Sequence, residues 1–486
     1  MSSVGMVVAS EGSVVDILVS SESVEVGSIL KVQDHFCIVS SMAYSEDERI
    51  GSRQKLIAKA EVFGRLSGGR LHKVKKPVSP HERATLASKE ELERLLSVDD
   101  RISIGMVYGT QARAFLDAGE YDRHLAVLAS TGAGKSYTAA NLIKEFSLLG
   151  LPVLVVDTHG EYQRILAKLG ESNPLSIAVY TVKYGRQGAN QLKIPVSNLN
   201  ASDFMHFANL NDNQVYALEV VLNRLTVKKN GDDYTLSEVL EECDRVVAES
   251  SKDNPNKNVR SDVHEETAKA LKRRLSGLSM TFRDVFDLKG TDLNRLVVPY
   301  QITIIDASLA TQTVRQSVVS YVSKKILQGR IGRVQEIGGD RIDHPVLLVV
   351  EEAHNYAGDK VTSSCKYQLQ RIASEGRKFG VGLCVISQKP SKIDEEILSQ
   401  CNTGIYMHIT NPADKDHIKR SFESVNEDIV SGLDSLDVGE CIIAGAMLDI
   451  PFLMCAVDRI ELKEKKKSKF DFKKPVKVET GKFEYV

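Results

Sequence analysis

The stretch Ala129–Ser136 has the sequence ASTGAGKS and lies between a short apolar run, Leu125–Leu128, and a helix-like pattern that begins beyond it. Strand, glycine-containing loop and helix in this order are the context that a phosphate-binding P-loop requires. Successive backbone N–H groups of such a loop surround the phosphates, and the N-terminus of the following helix adds the positive end of its dipole. The sequence therefore predicts a binding site for a nucleoside triphosphate.

The residue types in this stretch predict separate roles within the site. We expect Lys135 to reach the β- and γ-phosphates and the hydroxyl of Ser136 to ligate Mg²⁺. The opening glycine of the pattern is replaced by Ala129, which begins the turn without touching phosphate, so a small side chain is tolerated there. The expected ligands are ATP and Mg²⁺. The predicted nucleotide-binding residues are Ser130, Thr131, Gly132, Ala133, Gly134, Lys135, Ser136 and Tyr137.

The composition of the 486-residue chain is that of a globular protein with roughly two to three domains. Hydrophobic residues make up 42% and charged residues 26%, and no apolar run approaches the ~20 residues of a membrane span. The N-terminus shows no basic segment followed by an apolar one, so we expect a cytoplasmic protein without a membrane partner. The seven cysteines are scattered, which argues against a disulfide framework or a zinc site. The net charge of −2 leaves nucleic-acid binding to local lysine-rich patches.

Changes in pattern divide the chain into a barrel, a sheet in two parts, a helical insertion and an arm. Residues 1–100 contain short β segments typical of a small barrel, followed by a connector. Residues 101–199 and 291–460 alternate apolar strands with helices, which predicts an α/β fold with a wound, mainly parallel sheet. Residues 200–290 carry helical periodicity over a length too great for a loop and predict an insertion, whereas the lysine-rich residues 461–486 predict an arm that orders only against a neighbour. The predicted strands of the sheet are 125–129, 152–157, 302–306, 345–350, 381–387, 403–409 and 440–445.

A second apolar strand, Pro345–Val350, ends in the carboxylates of Glu351 and Glu352. In P-loop ATPases such a pair places Mg²⁺ coordination and water activation beside the γ-phosphate. We expect Glu351 to hold the Mg²⁺ shell and Glu352 to orient and polarise the attacking water. Because the first position is usually aspartate, the longer Glu351 favours ligation through water. Without the P-loop, the same residues would be equally consistent with an acidic edge between strand and loop.

Further polar side chains are candidates for catalysis. Gln388 follows another apolar strand, at a position where an uncharged polar residue can sense the γ-phosphate. Arg377 lies off the apolar stripe of its helix-like segment and is a candidate arginine finger for the ATP of an adjacent subunit. Arg123, just before the P-loop strand, is a second candidate cation, and the alternative for both arginines is a surface residue. Asp157 and Glu161 are candidates for positioning water or coupling subunits.

Together, these motifs resemble the HerA family of the HerA/FtsK superfamily of DNA translocases. The resemblance implies a RecA-like P-loop core preceded by the small barrel known as a HAS-barrel. It also implies a homohexameric ring that hydrolyses ATP between subunits and moves double-stranded DNA, with a NurA-type nuclease as partner in DNA end processing. The matching segments are Ser130–Ser136, Asp157–Tyr162, Glu351–His354, Gly376–Gly380 and Ser387–Gln388.

The resemblance also implies roles for individual residues. Glu352 is the catalytic carboxylate and Gln388 the sensor, whereas Arg377 acts on the neighbour's ATP, with Arg123 as a second candidate. Phosphate contacts in the channel would make DNA binding salt-dependent and largely independent of base sequence. The candidate pore residues, on a loop rich in polar side chains, are Lys183 and Arg186.

Two other functions are compatible with the motifs. A related motor could move protein rather than DNA, although the HerA-like barrel argues against this. A P-loop module could also use nucleotide to gate assembly or partner binding without translocation. Glu352 favours hydrolysis and so argues against the second alternative.

Overall fold

The computed structural model describes most of the chain. The predicted C-terminal arm, 461–486, and the pore candidate Arg186 lie outside the described residues. The described ranges are 3–45, 55–67, 70–74, 76–98, 100–171, 174–183, 189–251, 263–339, 341–358 and 364–458.

The N-terminal segment folds into a barrel of antiparallel strands. Its strands are β1 Gly5–Glu11, β2 Val14–Val19, β3 Ile29–Val32, β4 His35–Ser45, β5 Lys55–Ser67, β6 Arg70–His72 and β7 Arg83–Leu86. The ring closes in the order β1-β2-β5-β4-β3-β7, because β2 pairs with both β1 and β5 while β7 joins β1 to β3. Alternate residues point inward, as Val15 and Ile17 of β2 do, and fill the barrel with apolar side chains. The predicted small barrel is confirmed.

A short helix, α1 Lys89–Leu95, connects the barrel to the rest of the chain. The hydroxyl of Ser88 accepts a hydrogen bond from the backbone N–H of Glu91 at 3.2 Å, and the Glu91 carboxylate accepts one from the Ser88 N–H at 2.9 Å. This capping box satisfies two donors that would otherwise lack partners. Leu92 and Leu95 belong to the same hydrophobic cluster as Phe36 of the barrel and the strands of the large sheet. Apolar packing therefore continues from the barrel through α1 into the large sheet.

A large sheet forms the centre of the described chain. The strands that follow the barrel are β8 Arg101–Val107, β9 Arg113–Asp117, β10 Leu125–Leu128, β11 Val153–Asp157, β12 Ser176–Thr181, β13 Asn190–Gln191, β14 Ile194–Pro195, β15 Phe286–Asp287, β16 Gln301–Asp306, β17 Val346–Glu351, β18 Val381–Ser387, β19 Thr403–Tyr406, β20 Glu440–Gly445 and β21 Phe452–Val457. Apart from β14 and β15, which pair with each other, they form one sheet in the order β13-β12-β16-β11-β17-β18-β10-β19-β20-β21-β8-β9. Pairing is parallel from β13 to β19 and antiparallel beyond β19.

The burial of the central strands agrees with this arrangement. Every residue of β10, β11, β17 and β18 is buried, as strands covered on both faces must be. The predicted wound, mainly parallel sheet is therefore confirmed. Four strands of this sheet, β9, β12, β13 and β21, were not predicted from the sequence.

Helices flank the sheet and form the insertion. Those that follow α1 are α2 Lys135–Leu148, α3 Tyr162–Leu169, α4 Ala201–Ala208, α5 Asp212–Lys228, α6 Leu236–Ser250, α7 Glu265–Thr281, α8 Gln312–Val334, α9 Ser364–Glu375, α10 Glu395–Ser399, α11 Pro412–Ser421 and α12 Glu427–Gly432. None of the helices in the described ranges has an apolar stretch long enough to cross a membrane.

Helices α4 to α7 form the predicted helical insertion, which contains a cluster of aromatic rings. The ring centroids of Phe207 and Phe282 lie 5.3 Å apart, and those of Phe282 and Phe286 lie 5.0 Å apart, both in stacked geometry. Such contacts add to the burial of aromatic surface and hold the helices together. The insertion is confirmed as a helical element, while the residue limits assigned to the domains stay a prediction.

The strand order divides the predicted site residues between two edges of the sheet. β10 lies beside β18, and β17 lies on the other side of β18. Because these strands are parallel, the P-loop, Glu352 and Gln388, which follow their carboxyl ends, lie at one edge. Arg123 and Arg377 precede the amino ends of β10 and β18 and lie at the opposite edge.

Candidate nucleotide site

A cavity of about 550 Å³ opens at the carboxyl edge of the central strands, within the usual size range of small-molecule sites. It is bounded by the P-loop, by the end of β17 and by the first turn of α3. All of the predicted nucleotide-binding residues except Ala133 line it. The lining residues are Ser130, Thr131, Gly132, Gly134, Lys135, Ser136, Tyr137, His159, Glu161, Arg164, Ile165, Glu351, Glu352 and Gln388.

The backbone of the P-loop explains both its glycines and its alanines. Gly132 and Gly134 have φ angles of +85° and +101°, a region that residues with a Cβ atom rarely adopt. Ala129 is fully buried, and its N–H donates to the carbonyl of Ser387 at 3.2 Å, so a small side chain suits this position. Ala133 is also buried and contributes backbone rather than side chain to the loop. These turns carry the chain directly into α2.

Lys135 and Glu352 form an ion pair inside the cavity. The Lys135 Nζ atom lies 3.1 Å from Oε1 of Glu352, and the two residues are only 8% and 4% exposed. Glu352 has a φ of +50°, so the chain turns sharply as it leaves β17, in a conformation that costs free energy for a residue with a side chain. The lysine predicted to bind phosphate is thus paired with the carboxylate predicted to activate water.

The second oxygen of Glu352 has a different environment. Oε2 lies 3.3 Å from Nδ1 of His354, yet it makes no hydrogen bond within the described part of the chain. The same His354 nitrogen lies 3.1 Å from the hydroxyl oxygen of Ser387 at the end of β18. Burial lowers the pKa of His354, which favours a neutral ring. A buried carboxylate oxygen without a donor is suited to accept a proton from water.

Glu351 is held more tightly than the sequence suggested. Its Oε2 atom accepts hydrogen bonds from the backbone N–H groups of Thr158 at 3.0 Å and His159 at 3.3 Å. Burial, and next the nearby carboxylate of Asp157, raise the pKa of Glu351 above its ordinary value. A divalent cation would supply the countercharge that favours the ionised form. The Mg²⁺ role of Glu351 stays a prediction.

Asp157 organises the loop that follows β11. Its Oδ1 atom accepts a hydrogen bond from the N–H of Gly160 at 2.6 Å, and its Oδ2 atom accepts one from the N–H of Tyr162 at 3.0 Å. Both carboxylate oxygens are therefore engaged with backbone at the start of α3. Of the two carboxylates singled out near this loop, Glu161 rather than Asp157 lines the cavity.

Gln388 contacts the P-loop directly. The hydroxyl of Thr131 donates to Oε1 of Gln388 at 2.6 Å, joining the loop to the end of β18. A side chain in this position can couple the state of the phosphate site to the strand that carries it. The structure thus brings together Lys135, Glu352 and Gln388, which are far apart in the sequence.

Arg123 and Arg377 do not join this group. β18 has seven residues, so the amino edge lies roughly 20 Å from the cavity, farther than an arginine side chain reaches. Arg123 pairs with Glu120, and Nε of Arg377 lies 3.9 Å from Oδ1 of Asp122. The two arginines are near each other but cannot act on the cavity of their own subunit.

Three residues that line the cavity were not predicted from the sequence. His159, Arg164 and Ile165 come from the loop after β11 and from α3. The position of these residues after β11 was a usable signal, because ligands of α/β sheets bind beyond the carboxyl ends of the strands. Arg164 adds a second cation beside Lys135, and neither spacing nor motif distinguished it from a surface arginine.

The residues present fit a nucleoside triphosphate with Mg²⁺. Gly132 and Gly134 shape a loop that leads into the N-terminus of α2, and Lys135 is buried beside it. The hydroxyl of Ser136 and the carboxyl of Glu351 line the same cavity and are oxygen ligands of the kind Mg²⁺ prefers.

Comparisons with known proteins agree with this site. Residues 102–326 match a family model described as the central domain of helicase HerA. The chain is 30% identical over 386 residues to the DNA double-strand break repair helicase HerA of Saccharolobus solfataricus, covering 78% of this chain and 72% of that protein. It is 27% identical over 457 residues to the protein of the same name from Pyrococcus furiosus, covering 86% and 80%.

Solved structures show the same fold at lower identity. VirB4 of Thermoanaerobacter pseudethanolicus superposes with a TM-score of 0.54 at 18% identity, over 75% of this chain and 98% of that chain. The plasmid coupling protein TrwB in complex with ADP and Mg²⁺ gives a TM-score of 0.50 at 14% identity, over 77% and 92%. The expected fold and enzyme class, an ATP-hydrolysing helicase or translocase, are confirmed by these comparisons together. The chain belongs to the HerA helicase family.

Proposed function

We propose that the chain is an ATP-driven double-stranded DNA translocase that works as a homohexameric ring in DNA end processing. The observation that carries this proposal is the division of its site. Lys135, Glu352 and Gln388 meet at one edge of the sheet, while Arg123 and Arg377 lie at the other. A ring of identical subunits can place the second edge of one copy against the first edge of the next. The relatives named as DNA double-strand break repair helicases support DNA as the substrate.

Hydrolysis would use the residues of the cavity in separate roles. Lys135 binds the β- and γ-phosphates, and Glu352 turns its Oε2 atom to the attacking water. The water oxygen bonds to the γ-phosphorus as the bond to the ADP oxygen breaks, and the water proton passes to Glu352. When bound, Mg²⁺ supplies positive charge to the phosphate oxygens. Ser136 and Glu351 would hold it, Glu351 through water.

The arginines would complete the site of the adjacent subunit. Arg377, with Arg123 as the second cation, would stabilise the negative charge that spreads over the transferring phosphoryl group. A subunit interface that contains the nucleotide changes when phosphate leaves. Gln388, hydrogen-bonded to Thr131, would pass that change to β18. Such changes around a ring would move DNA through its centre, with phosphate contacts that do not depend on base sequence.

The same proposal covers partners and domain limits. A NurA-type nuclease would act on the DNA that the ring delivers, in the cytoplasm.

The barrel and connector would occupy residues 1–100 and the insertion residues 200–290. The motor core would occupy 101–199 and 291–460, followed by the arm at 461–486.

The decisive experiment measures the ATPase rate with and without double-stranded DNA across salt concentrations, on a sample of known mass. We expect a particle of about 320 kDa, six times the 53.6 kDa chain, whose rate rises with DNA. We expect that stimulation to fall as salt rises, because phosphate contacts release counterions. Turnover by a monomer that ignores DNA would refute the proposal and favour a nucleotide-gated module. In a control measurement, an unfolded polypeptide takes the place of DNA, because a motor that moves protein would be stimulated by the polypeptide.

A further inference from the structure

We propose that His124 is a positioning residue for the two arginines that the chain offers to its neighbour, Arg123 and Arg377. This inference rests on the proposed action of those arginines across a subunit interface. It assigns a role to a buried histidine at the amino edge of the sheet, away from the nucleotide cavity.

The ring of His124 is fixed by hydrogen bonds at both nitrogens. The residue is 2% exposed, and its Nε2 atom lies 3.0 Å from the carbonyl oxygen of Ala373. Its Nδ1 atom accepts a hydrogen bond from the backbone N–H of Leu383, also at 3.0 Å. These partners require a neutral ring that donates at Nε2 and accepts at Nδ1. Burial lowers the pKa of His124 to about 4, which is consistent with that neutral form.

The two partners lie on either side of the segment that carries Arg377. Ala373 is in the last turn of α9, and Leu383 is in β18. Between them, residues 376–379 form a short 3-10 turn that contains Arg377. His124 is therefore hydrogen-bonded to α9 and to β18, the two elements that flank the turn. Because Arg123 precedes His124 directly, the same residue fixes the start of the strand next to the second arginine.

The backbone of His124 is itself strained. Its φ of 62° and ψ of 150° fall in a region that is essentially reserved for glycine. The strained segment is held from its neighbour β19, where the N–H of Thr403 donates to the His124 carbonyl at 3.3 Å. In the same way, the N–H of Asn402 donates to the carbonyl of Arg123 at 2.9 Å. Strain of this kind persists only where the surroundings hold it, and here it accompanies a side chain with two buried partners.

Other contacts hold the same turn from a different side. The Arg330 Nε atom donates to the carbonyl of Phe379 at 2.8 Å, and the Tyr121 hydroxyl donates to the carbonyl of Gly380 at 3.3 Å. The Arg377 side chain is itself held only loosely, with Nε 3.9 Å from Asp122. The position of its guanidinium therefore depends on the backbone of the turn. His124 ties this backbone to the start of β10, directly beside Arg123.

The alternative is that His124 merely seats β10 and so supports the P-loop of its own subunit. Replacement variants separate the two ideas. His124→Gln keeps a donor near Ala373, and His124→Asn keeps an acceptor near Leu383, so each retains one of the two bonds. His417→Ala is a matched control, because His417 is a buried histidine whose Nε2 atom lies 3.2 Å from the carbonyl oxygen of Ile393.

The first measurement is kcat and KM for ATP on rings whose assembly is confirmed by mass. A displacement of about 1 Å in a group that stabilises the transition state costs about 10²-fold, so we expect His124→Ala to lose that much kcat. KM should stay within about threefold, because the P-loop is intact. His124→Gln and His124→Asn should give intermediate kcat values, and these two variants carry the test if the alanine variant does not assemble. An equal loss of kcat in His417→Ala would overturn the proposal.

The second measurement mixes subunits. In rings that contain His124→Ala and Lys135→Ala chains, the intact P-loop of the first can meet the intact arginine edge of the second. Random mixing of equal amounts makes about a quarter of the interfaces complete, so we expect the mixed rings to hydrolyse ATP at about a quarter of the rate of wild-type rings. Rings of Arg377→Ala with Lys135→Ala should recover in the same way.

The outcomes of the mixing experiment distinguish the positioning role of His124 from the trans action of the arginines. Recovery with Arg377→Ala but not with His124→Ala would overturn the positioning role and leave the trans arginine intact. Failure of both mixtures in assembled rings would refute the trans action of the arginines, and the role of His124 would fall with it. Recovery in both supports the proposal.

Discussion

Replacing Glu352 by glutamine tests the centre of the proposed mechanism. The carboxylate is buried and pairs with Lys135 Nζ at 3.1 Å through Oε1, while Oε2 has no hydrogen-bond donor among the residues that the structure describes. Glutamine has the same shape and keeps an oxygen for Lys135, but it cannot take a proton from water. The variant therefore separates binding from hydrolysis with little change in packing.

The structure predicts effects of opposite sign on the two steps. Loss of a general base lowers the hydrolysis rate by about 10²- to 10⁴-fold. Binding should improve, because the phosphates and Glu352 compete for the same lysine. In the free enzyme, the bond from Lys135 to the charged Glu352 is about 1.5 kcal/mol stronger than a bond from Lys135 to a neutral amide oxygen. ATP must break this bond to reach the lysine, so the glutamine variant should bind ATP about tenfold more tightly.

The assay combines single-turnover hydrolysis with equilibrium binding of ATP. Glu242→Gln is the control, because Glu242 is an equally buried carboxylate in the insertion, 2.6 Å from Arg245. We expect that control to leave the hydrolysis rate and the ATP affinity unchanged. Hydrolysis by Glu352→Gln within threefold of the wild-type rate would refute the assignment of Glu352. Weaker ATP binding would refute the competition between Glu352 and phosphate for Lys135.

Three further predictions test other parts of the structure. Gln388→Ala should lower kcat by about 10²-fold while ATP binding is retained. Thr131→Val removes only the hydroxyl that donates to Gln388, so it should lower kcat less than about tenfold. Equal losses of kcat in the two variants would contradict the sensor role. Burial lowers the pKa of His124 from its ordinary value of 6.5 to about 4, so between these pH values the unfolded chain binds a proton that the folded chain does not. The free energy of unfolding of the wild type should therefore fall by about 3 kcal/mol as the pH is lowered from 6.5 to about 4. His124→Gln should lack this slope in melting curves, and parallel curves would disprove it. Phe207→Ala removes a ring stacked 5.3 Å from Phe282 and should cost about 3–5 kcal/mol of stability, seen as a lower melting temperature with unchanged ATP affinity; a loss of affinity at constant melting temperature would contradict this.

Local patterns predicted much of the fold because the signals were strong. The apolar runs that became β10, β17 and β18 are buried along their whole length, so their composition alone identified them as central strands. β12 was missed because it mixes polar with apolar side chains, and only its last three residues are buried. β21 was also missed, although its six residues are all apolar and Asp449 and Pro451 precede them as turn-forming residues.

The candidate site was predicted in its residue types rather than in its contacts. Spacing identified Lys135 through the P-loop and Glu352 through the end of an apolar strand. It could not show that these two residues pair with each other, since 217 positions separate them. Arg164 carried no pattern at all, and its place in the cavity depends on how α3 packs beside the P-loop.

The sequence by itself predicted a nucleotide-binding site, because a P-loop is a local feature that strand, turn and helix propensities specify over a few residues. It also indicated a hydrolytic carboxylate and the family to which the chain belongs. Only the tertiary structure decided that Arg123 and Arg377 lie at the edge opposite Lys135, and that His124 joins the segments that carry them. Those relations depend on the order and direction of strands in the sheet, which nonlocal packing sets and no local pattern encodes.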